Sequence, residues 1–235
     1  SDAFFYAAFY SVSAFNNGGF SFFPNSLMSF ADQYLITLTI SMLYIIGGIG
    51  FVVLMDIKRA KRWKKLSPNS KLILSTIASL NFVAFLLIWA IEANNPHTLA
   101  AMSIGDQALN AWFHATVPRS SGFNSLDVAS MQNSSTLLTM LLMFIGGGSL
   151  STAGGIKVGT FIIVILSVIS FLRRSDEVRV FNHAVSERTT FKALAVISIT
   201  GMLICIGLFS LLALEPKLNF LDLMFEAVSA ACTVG

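Results

Sequence analysis

Three short segments of the sequence combine small residues with a glycine at matching spacing. They are FYSVSAFNNGGF at residues 9–20, WFHATVPRSSGF at residues 112–123 and FEAVSAACTVG at residues 225–235. Aligned without gaps, each begins with an aromatic residue, has Ser or Thr four places later and Gly six places after that. Glycine lets the backbone take left-handed conformations, and small neighbours leave the carbonyls unobstructed. A ring of backbone carbonyls can replace the hydration shell of a cation, so the pattern predicts a cation site built from main chain.

The elements that must position these segments are membrane helices. Hydrophobic residues make up 55% of the chain and charged residues 11%, with a mean hydropathy of +0.75. Soluble domains carry about 25% charged residues, so one soluble core cannot hide this much apolar surface. The net charge of +3 does not indicate nucleic-acid binding, because the basic residues cluster in short loops between apolar stretches. The composition therefore predicts a polytopic membrane protein.

Three uncharged stretches have the length of about 20 residues that a spanning helix needs, at Gln33–Met55, Leu72–Ile91 and Ala193–Leu214. A fourth apolar region, from about Val128 to Leu172, is too long for one span. It is interrupted by GGGSLSTAGG at Gly146–Gly155, which indicates a broken helix.

Basic residues are concentrated in two loops, Lys58–Lys71 and Arg173–Lys192. The positive-inside rule predicts that both are cytoplasmic and that Glu92–Asp106 is external. The three segments with the aligned glycines then belong to the outer side, and the chain must turn back there. A short helix that dips into the membrane and returns as extended chain satisfies this requirement. Such backbone is tolerated at membrane depth only when it is buried in protein or lines water.

The segments SAFNNGGF, RSSGFNSLD, GGGSLSTAGGIK and SAACTVG, in their order along the chain, resemble the Trk/Ktr/HKT superfamily of cation transporters. The resemblance is greatest to the bacterial Ktr potassium-uptake membrane subunits, and TVG also opens the filter signature of potassium channels. It implies an all-α polytopic membrane protein. The expected repeating unit is a membrane helix, a re-entrant pore helix with an extended filter loop, and a second membrane helix, as in potassium channels.

The resemblance also implies a division of the chain into units. Residues 1–66 correspond to the second unit from its pore helix onward, with its filter and the following membrane helix. Residues 67–185 correspond to the third unit, whose second helix is broken at 146–155. Residues 186–235 correspond to the fourth unit up to its filter, and the first unit and the last helix are expected to be absent from this chain.

Two sets of site residues follow from the resemblance, with potassium as the bound and transported ion and no cofactor in this chain. The filter backbone is expected at Asn17, Gly18, Gly19, Ser120, Ser121, Gly122, Thr233, Val234 and Gly235. The loop that gates the pore, just below the filter, is expected at Gly146, Gly147, Gly148, Ser149, Ser151, Thr152, Gly154, Gly155 and Lys157. Lys157 is a functional candidate because an ionisable residue is costly at membrane depth.

The expected setting is the plasma (inner) membrane, crossed several times. By resemblance, the partners are a second copy in a membrane homodimer, cytosolic nucleotide-binding regulatory subunits and membrane lipids. No nucleic acid is expected.

Several alternatives remain open. The glycines of Gly47–Gly50 are interpreted as a helix-packing seam, whereas those of Gly146–Gly155 favour a hinge over a seam because the stretch is also rich in Ser and Thr. His114 is interpreted as a packed pore-helix residue. Because only one segment reads TVG, a sodium-selective member of the same superfamily is a second function.

A secondary carrier for an organic solute is a third hypothesis, but it predicts inverted repeats, and these repeats run in parallel. An enzyme is not expected, because the three histidines are scattered and the apolar stretches hold no nucleophile–base pair.

Overall fold

The structure, a computed structural model, describes residues 2–119, 121–174, 179–180 and 183–234. It is helical, as expected. The α-helices within these residues are α1 (Asp2–Phe15), α2 (Tyr34–Ile49), α3 (Phe51–Ala60), α4 (Pro68–Glu92), α5 (Ile104–Thr116), α6 (Asn133–Phe144), α7 (Val158–Leu172), α8 (Glu187–Leu214) and α9 (Phe220–Cys232). Short 3₁₀ turns lie at Met28–Phe30, Trp63–Lys65, Val117–Arg119 and Val128–Ser130. Two antiparallel strands of two residues each, β1 (Arg179–Val180) and β2 (His183–Ala184), lie in the second basic loop.

Two helices, α4 and α8, are long and apolar enough to cross a membrane by themselves. They contain 25 and 28 residues, with mean hydropathies of 2.2 and 2.4 over their most apolar windows. In the fourth apolar region, α6 ends at Phe144 and α7 begins at Val158, so the chain between them is not α-helical.

The expectation of one continuous span at Gln33–Met55 is wrong in its second half. The chain bends by 93° between α2 and α3, and Gly50 lies at the bend with φ 98° and ψ 143°. That backbone conformation is accessible to glycine and strained for residues with a side chain. The Gly47–Gly50 stretch is therefore a corner as well as a packing surface.

Two of the short helices, α5 and α9, have side-chain caps at their starts. Ser103 accepts a hydrogen bond from the backbone N–H of Asp106 at the start of α5, and Asn219 accepts one from Leu221 at the start of α9. Hydrogen bonds from Ser103 and Tyr34 hold the pKa of the Asp106 carboxyl below its usual range. Each cap satisfies a backbone N–H that the first turn of its helix would otherwise leave without a partner.

Each short re-entrant helix packs against a longer neighbour. Helix α1 lies against α2, with Tyr10, Ala14 and Tyr44 in a shared core, and α5 lies against α4. Helix α9 packs between α6 and α8. Many large apolar side chains remain exposed on the outside, and the most apolar window of α8 has no buried residues. An exposed surface of this extent suits a hydrocarbon environment.

Candidate ion-conducting site

The first and last glycine-ended segments leave their helices with the same backbone geometry. The N–H of Gly18 donates to the carbonyl of Ser13 at 2.8 Å, and the N–H of Val234 donates to the carbonyl of Ser229 at 3.0 Å. Asn17 and Thr233, the residues just before, both lie in the left-handed region, with φ 53° and 57°. This is a common way to end a helix. The alignment of the two sequence segments therefore extends to their backbone hydrogen bonds.

The middle segment differs. Helix α5 passes into the 3₁₀ turn Val117–Arg119 before the small residues begin. Ser121 is buried and Gly122 follows it. Two of the predicted filter residues, Ser120 and Gly235, lie outside the described residues.

The first and middle segments lie side by side. Gly19 has φ 68°, and a Cβ atom there would come within 2.5 Å of the backbone nitrogen of Gly122. The buried Tyr44 of α2 contacts both segments. Its hydroxyl donates to Ser121 Oγ and interacts with the backbone of Gly19. The structure thus brings together two predicted filter strands that are about a hundred residues apart in the sequence.

The predicted gate loop begins and ends with a short stretch of paired backbone. The N–H of Gly146 donates to the carbonyl of Ile156 at 2.8 Å, and the N–H of Ile156 donates to the carbonyl of Phe144 at 3.1 Å. Lys157 Nζ donates to the carbonyl of Ala153. The loop therefore closes on itself at its base, with its one lysine turned onto its own backbone.

The predicted gate loop lies against the C-terminal ends of two re-entrant helices. Thr152 Oγ1 lies 2.7 Å from Asn17 Oδ1 and 3.4 Å from the carbonyl oxygen of Phe15, the last residue of α1. Gly154 contacts the carbonyl of Cys232 and the hydroxyl of Thr233 at the end of α9, so closely that a Cβ atom would clash. The negative ends of the two helix dipoles therefore point at this region, where they favour a cation.

The same loop is bonded to the corner between α2 and α3. The N–H of Gly148 donates to the carbonyl of Gly48 at 2.7 Å, and the N–H of Phe51 donates to the carbonyl of Leu150 at 3.2 Å. Gly50 itself abuts the carbonyl of Ser149. The loop between α6 and α7 and the corner between α2 and α3 are a hundred residues apart in the sequence. Each thus supplies hydrogen-bond partners for backbone groups of the other.

A buried polar contact that the sequence analysis did not single out lies behind the middle segment. Arg119, 7% exposed, directs Nη2 to Asn81 Oδ1 in the middle of α4. Arg119 also lines a small cavity with Asn17, Thr116 and Gly147, between the filter segments and the gate loop. Asn81 was the sequence signal for this contact. A polar residue halfway along an uncharged span is costly in lipid and therefore indicates a partner inside the protein.

A second polar cluster holds the C-terminal end of α4 and the N-terminal end of α6 together. Glu92 is fully buried and accepts hydrogen bonds from Asn95 Nδ2 at 2.7 Å, Thr98 Oγ1 at 2.6 Å and the N–H of Gln132 at 2.9 Å. In the sequence, Glu92 stands out only as the charged boundary of an uncharged stretch. His114 is packed, as predicted, and its Nε2 lies 3.1 Å from Thr139 Oγ1.

Among the described residues, no group of three or more His, Cys, Asp or Glu side chains is placed to hold a metal ion. Backbone carbonyls, the hydroxyls of Thr152 and Thr233 and the ends of α1 and α9 converge on the loop, and the guanidinium of Arg119 lines the adjoining cavity. Backbone carbonyls are groups that can replace the hydration shell of a cation.

Comparison with known proteins decides the family. The family described as "TrkH: Cation transport protein" matches residues 2–235. The chain belongs to this family of cation transport proteins. It is 42% identical, over its whole length, to the Ktr system potassium uptake protein B of Bacillus subtilis, of which it covers 53%. It is 32% identical to the potassium/sodium uptake protein NtpJ of Enterococcus hirae, with 98% of the chain and 51% of that protein aligned.

The fold also matches that of a solved member. The crystal structure of the potassium transporter TrkH from Vibrio parahaemolyticus superposes with a TM-score of 0.79, at 22% identity, over 98% of this chain and 50% of that one. The chain therefore has the TrkH fold and spans about half the length of the relatives it matches. The expected membership of the superfamily and the expected fold class are both confirmed.

The Arg119–Asn81 contact predicts a clear difference between two substitutions. Asn81→Leu removes the acceptor and leaves a buried guanidinium short of a partner, which we expect to cost about 2 kcal/mol in stability. Asn81→Asp keeps an acceptor and should preserve stability. Thermal unfolding of the detergent-solubilised complete subunit measures both. Equal destabilisation by Leu and Asp would show that the contact with Arg119 does not stabilise the fold.

Proposed function

We propose that this chain forms part of the ion-conducting subunit of a potassium-uptake system, with a carbonyl-lined filter and a gate loop beneath it. The single observation that carries the proposal is the position of the loop at residues 146–157. It contacts the inner ends of α1 and α9 and is bonded to the corner after α2. A loop held at that point obstructs the path that leads inward from the filter segments.

The proposed filter consists of the three residues that end at the aligned glycine of each segment, namely residues 17–19, 120–122 and 233–235. Several features support it: the shared helix-ending geometry of the first and last segments, the contact between Gly19 and Gly122, and the two helix dipoles aimed at the centre. Carbonyl dipoles can coordinate a dehydrated monovalent cation without a fixed carboxylate. The side chain of Asn17 turns to Thr152, so at this position only the backbone is left for the ion.

The gate is proposed to comprise the glycines of the loop together with Ser149, Ser151, Thr152 and Lys157. Thr152 is the strongest candidate for a latch, because its hydroxyl touches the end of α1, Asn17 and the carbonyl of Gly47. Ser151 contributes a buried hydroxyl that has no partner among the described residues. A hydrogen bond such as that of the Thr152 hydroxyl is worth about 1 kcal/mol, so a regulator needs only a modest free energy to shift the loop.

Potassium is the proposed substrate because two of the relatives above bear names that specify potassium uptake or transport. A second candidate, sodium, is favoured by one observation: the relative from Enterococcus hirae is named a potassium/sodium uptake protein. The parallel arrangement of the re-entrant segments supports a pore over a carrier for an organic solute.

We propose that residues 1–66, 67–185 and 186–235 are successive units of the conducting subunit, each centred on one re-entrant helix. The proposed setting is the plasma membrane with both basic loops on the cytoplasmic side. A membrane homodimer with cytosolic nucleotide-binding regulatory subunits is the proposed assembly. The word "system" in the names of the Ktr relatives supports further subunits.

The filter is tested by Gly19→Ala in the complete subunit. A side chain at φ 68°, against the Gly122 backbone, introduces strain of about 1–3 kcal/mol into one filter strand. We expect the preference for potassium over sodium to fall by about tenfold, the factor that corresponds to 1.4 kcal/mol. Rubidium and sodium uptake into liposomes measures this preference.

The control is Gly207→Ala in α8, where an added Cβ meets nothing within 4 Å. It should leave uptake unchanged. An unaltered ion preference in folded Gly19→Ala protein would exclude Gly19 from the filter.

The gate is tested by Thr152→Val, which keeps the shape of the side chain and removes its hydrogen bonds. Loss of about 1 kcal/mol from the closed arrangement should raise cation flux about fivefold per folded protein, with ion preference unchanged. The matched control, Thr200→Val, removes a hydroxyl that bonds only within α8, to the carbonyl of Val196. Reduced flux in the Thr152 variant at normal folded yield would contradict a latch that holds the pore closed.

A further inference from the structure

The first basic loop and helix α3 form one continuous exposed surface beside the start of a membrane span. Six basic residues fall within eight positions, and all are exposed: Lys58, Arg59, Lys61, Arg62, Lys64 and Lys65. The span α4 begins at Pro68, directly after this run. The charges therefore lie where the chain meets the membrane surface.

Helix α3 presents apolar side chains immediately before those charges. Phe51, Val52 and Met55 are exposed by 64%, 45% and 50%, and Trp63, within the basic run, is exposed by 54%. Because α3 leaves α2 at 93°, it runs across the direction of α2 rather than along it. The long basic side chains can reach the headgroups while these neighbouring apolar residues contact the acyl chains.

Charge complementarity identifies the occupant. Between residues 56 and 71 the chain carries seven basic residues and one acidic residue, Asp56. The Asp56 carboxylate accepts a hydrogen bond from the N–H of Ser67 at 2.9 Å, which closes the loop against the start of α4. Clusters of four to eight basic residues next to a membrane span bind anionic lipid headgroups.

We propose that the surface formed by α3 and residues 58–65 binds anionic phospholipid, and that the bound lipid sets the position of the gate loop. The connection is direct, because α3 begins at the corner that holds the gate loop. Phe51, its first residue, donates its N–H to the carbonyl of Leu150, and Gly48, on the other side of the corner, accepts from the N–H of Gly148. When α3 is anchored by lipid, it thus fixes the position of the corner to which the gate loop is hydrogen-bonded.

The second part of this proposal rests on the proposed function, since it needs a gate, whereas the lipid site does not. The test therefore has two readouts. The complete subunit is reconstituted into vesicles of phosphatidylcholine alone or with phosphatidylglycerol. Bound phosphatidylglycerol is measured by fluorescence transfer from Trp63 to a labelled lipid, in protein whose other tryptophans are all replaced by Phe. Rubidium uptake is measured in the same vesicles.

The variant Lys61→Gln/Arg62→Gln/Lys64→Gln/Lys65→Gln removes four charges and keeps Lys58 and Arg59. Its matched control, Arg173→Gln/Arg174→Gln/Arg188→Gln/Lys192→Gln, removes the same charge from the other basic loop. We expect the first variant to bind phosphatidylglycerol at least about tenfold more weakly and to lose the response of uptake to that lipid. The control should retain the response.

Unchanged lipid binding in the first variant would overturn the lipid site. Weaker binding with an unchanged uptake response would overturn the link to the gate loop. Absence of cation uptake in every vesicle would instead contradict the proposed function, while the fluorescence readout still decides the site. If the first variant loses a soluble partner subunit but keeps its lipid, the surface is a protein-docking site and the lipid proposal is wrong.

Discussion

Backbone polar groups at membrane depth must find partners within the protein, because lipid offers none. This constraint governs the centre of the structure. The break between α6 and α7 and the corner between α2 and α3 would each leave backbone N–H and C=O groups without partners. The two lie next to each other and share hydrogen bonds. The hydrogen bonds from Gly148 to Gly48 and from Phe51 to Leu150 join them, and the paired backbone of Gly146 and Ile156 closes the base of the loop.

The same constraint explains why the re-entrant helices end where they do. At the ends of α1 and α9 the chain turns through a left-handed residue and bonds back to its own helix. The carbonyls of Phe15 and Cys232 at those ends lie against the gate loop. Backbone carbonyls, which are costly to expose to lipid, are thus concentrated at one place. The proposed conduction of cations requires such a concentration of carbonyls.

Much of this arrangement could be predicted from the sequence, because breaks in apolar stretches leave a clear compositional signal. The re-entrant helices and the interruption near Gly146 were visible as glycine, serine and asparagine where lipid-facing helices avoid them. The bend at Gly50 could not be predicted, since glycines in a membrane helix serve packing and bending equally well. The contacts that hold the bend come from a distant part of the chain, at Gly148, Ser149 and Leu150.

The contact between Arg119 and Asn81 was missed for a similar reason. Arg119 stands among small residues in a segment that reads as a loop, and its burial depends on where α4 passes behind it. The asparagine in the middle of an uncharged span was the better signal. The cluster around Glu92 shows the same limit, because a carboxylate at the end of an apolar run looks like a boundary until its three hydrogen-bond donors are known.

The central claim is that the three glycine-ended segments coordinate a monovalent cation through their backbone. Anomalous diffraction from crystals of the complete subunit grown in rubidium tests it most directly. The account predicts an anomalous peak on the axis between the segments, within coordination distance of the carbonyls of Gly18, Ser121 and Val234. The absence of a peak there, with rubidium bound instead at side-chain carboxylates elsewhere, would contradict it.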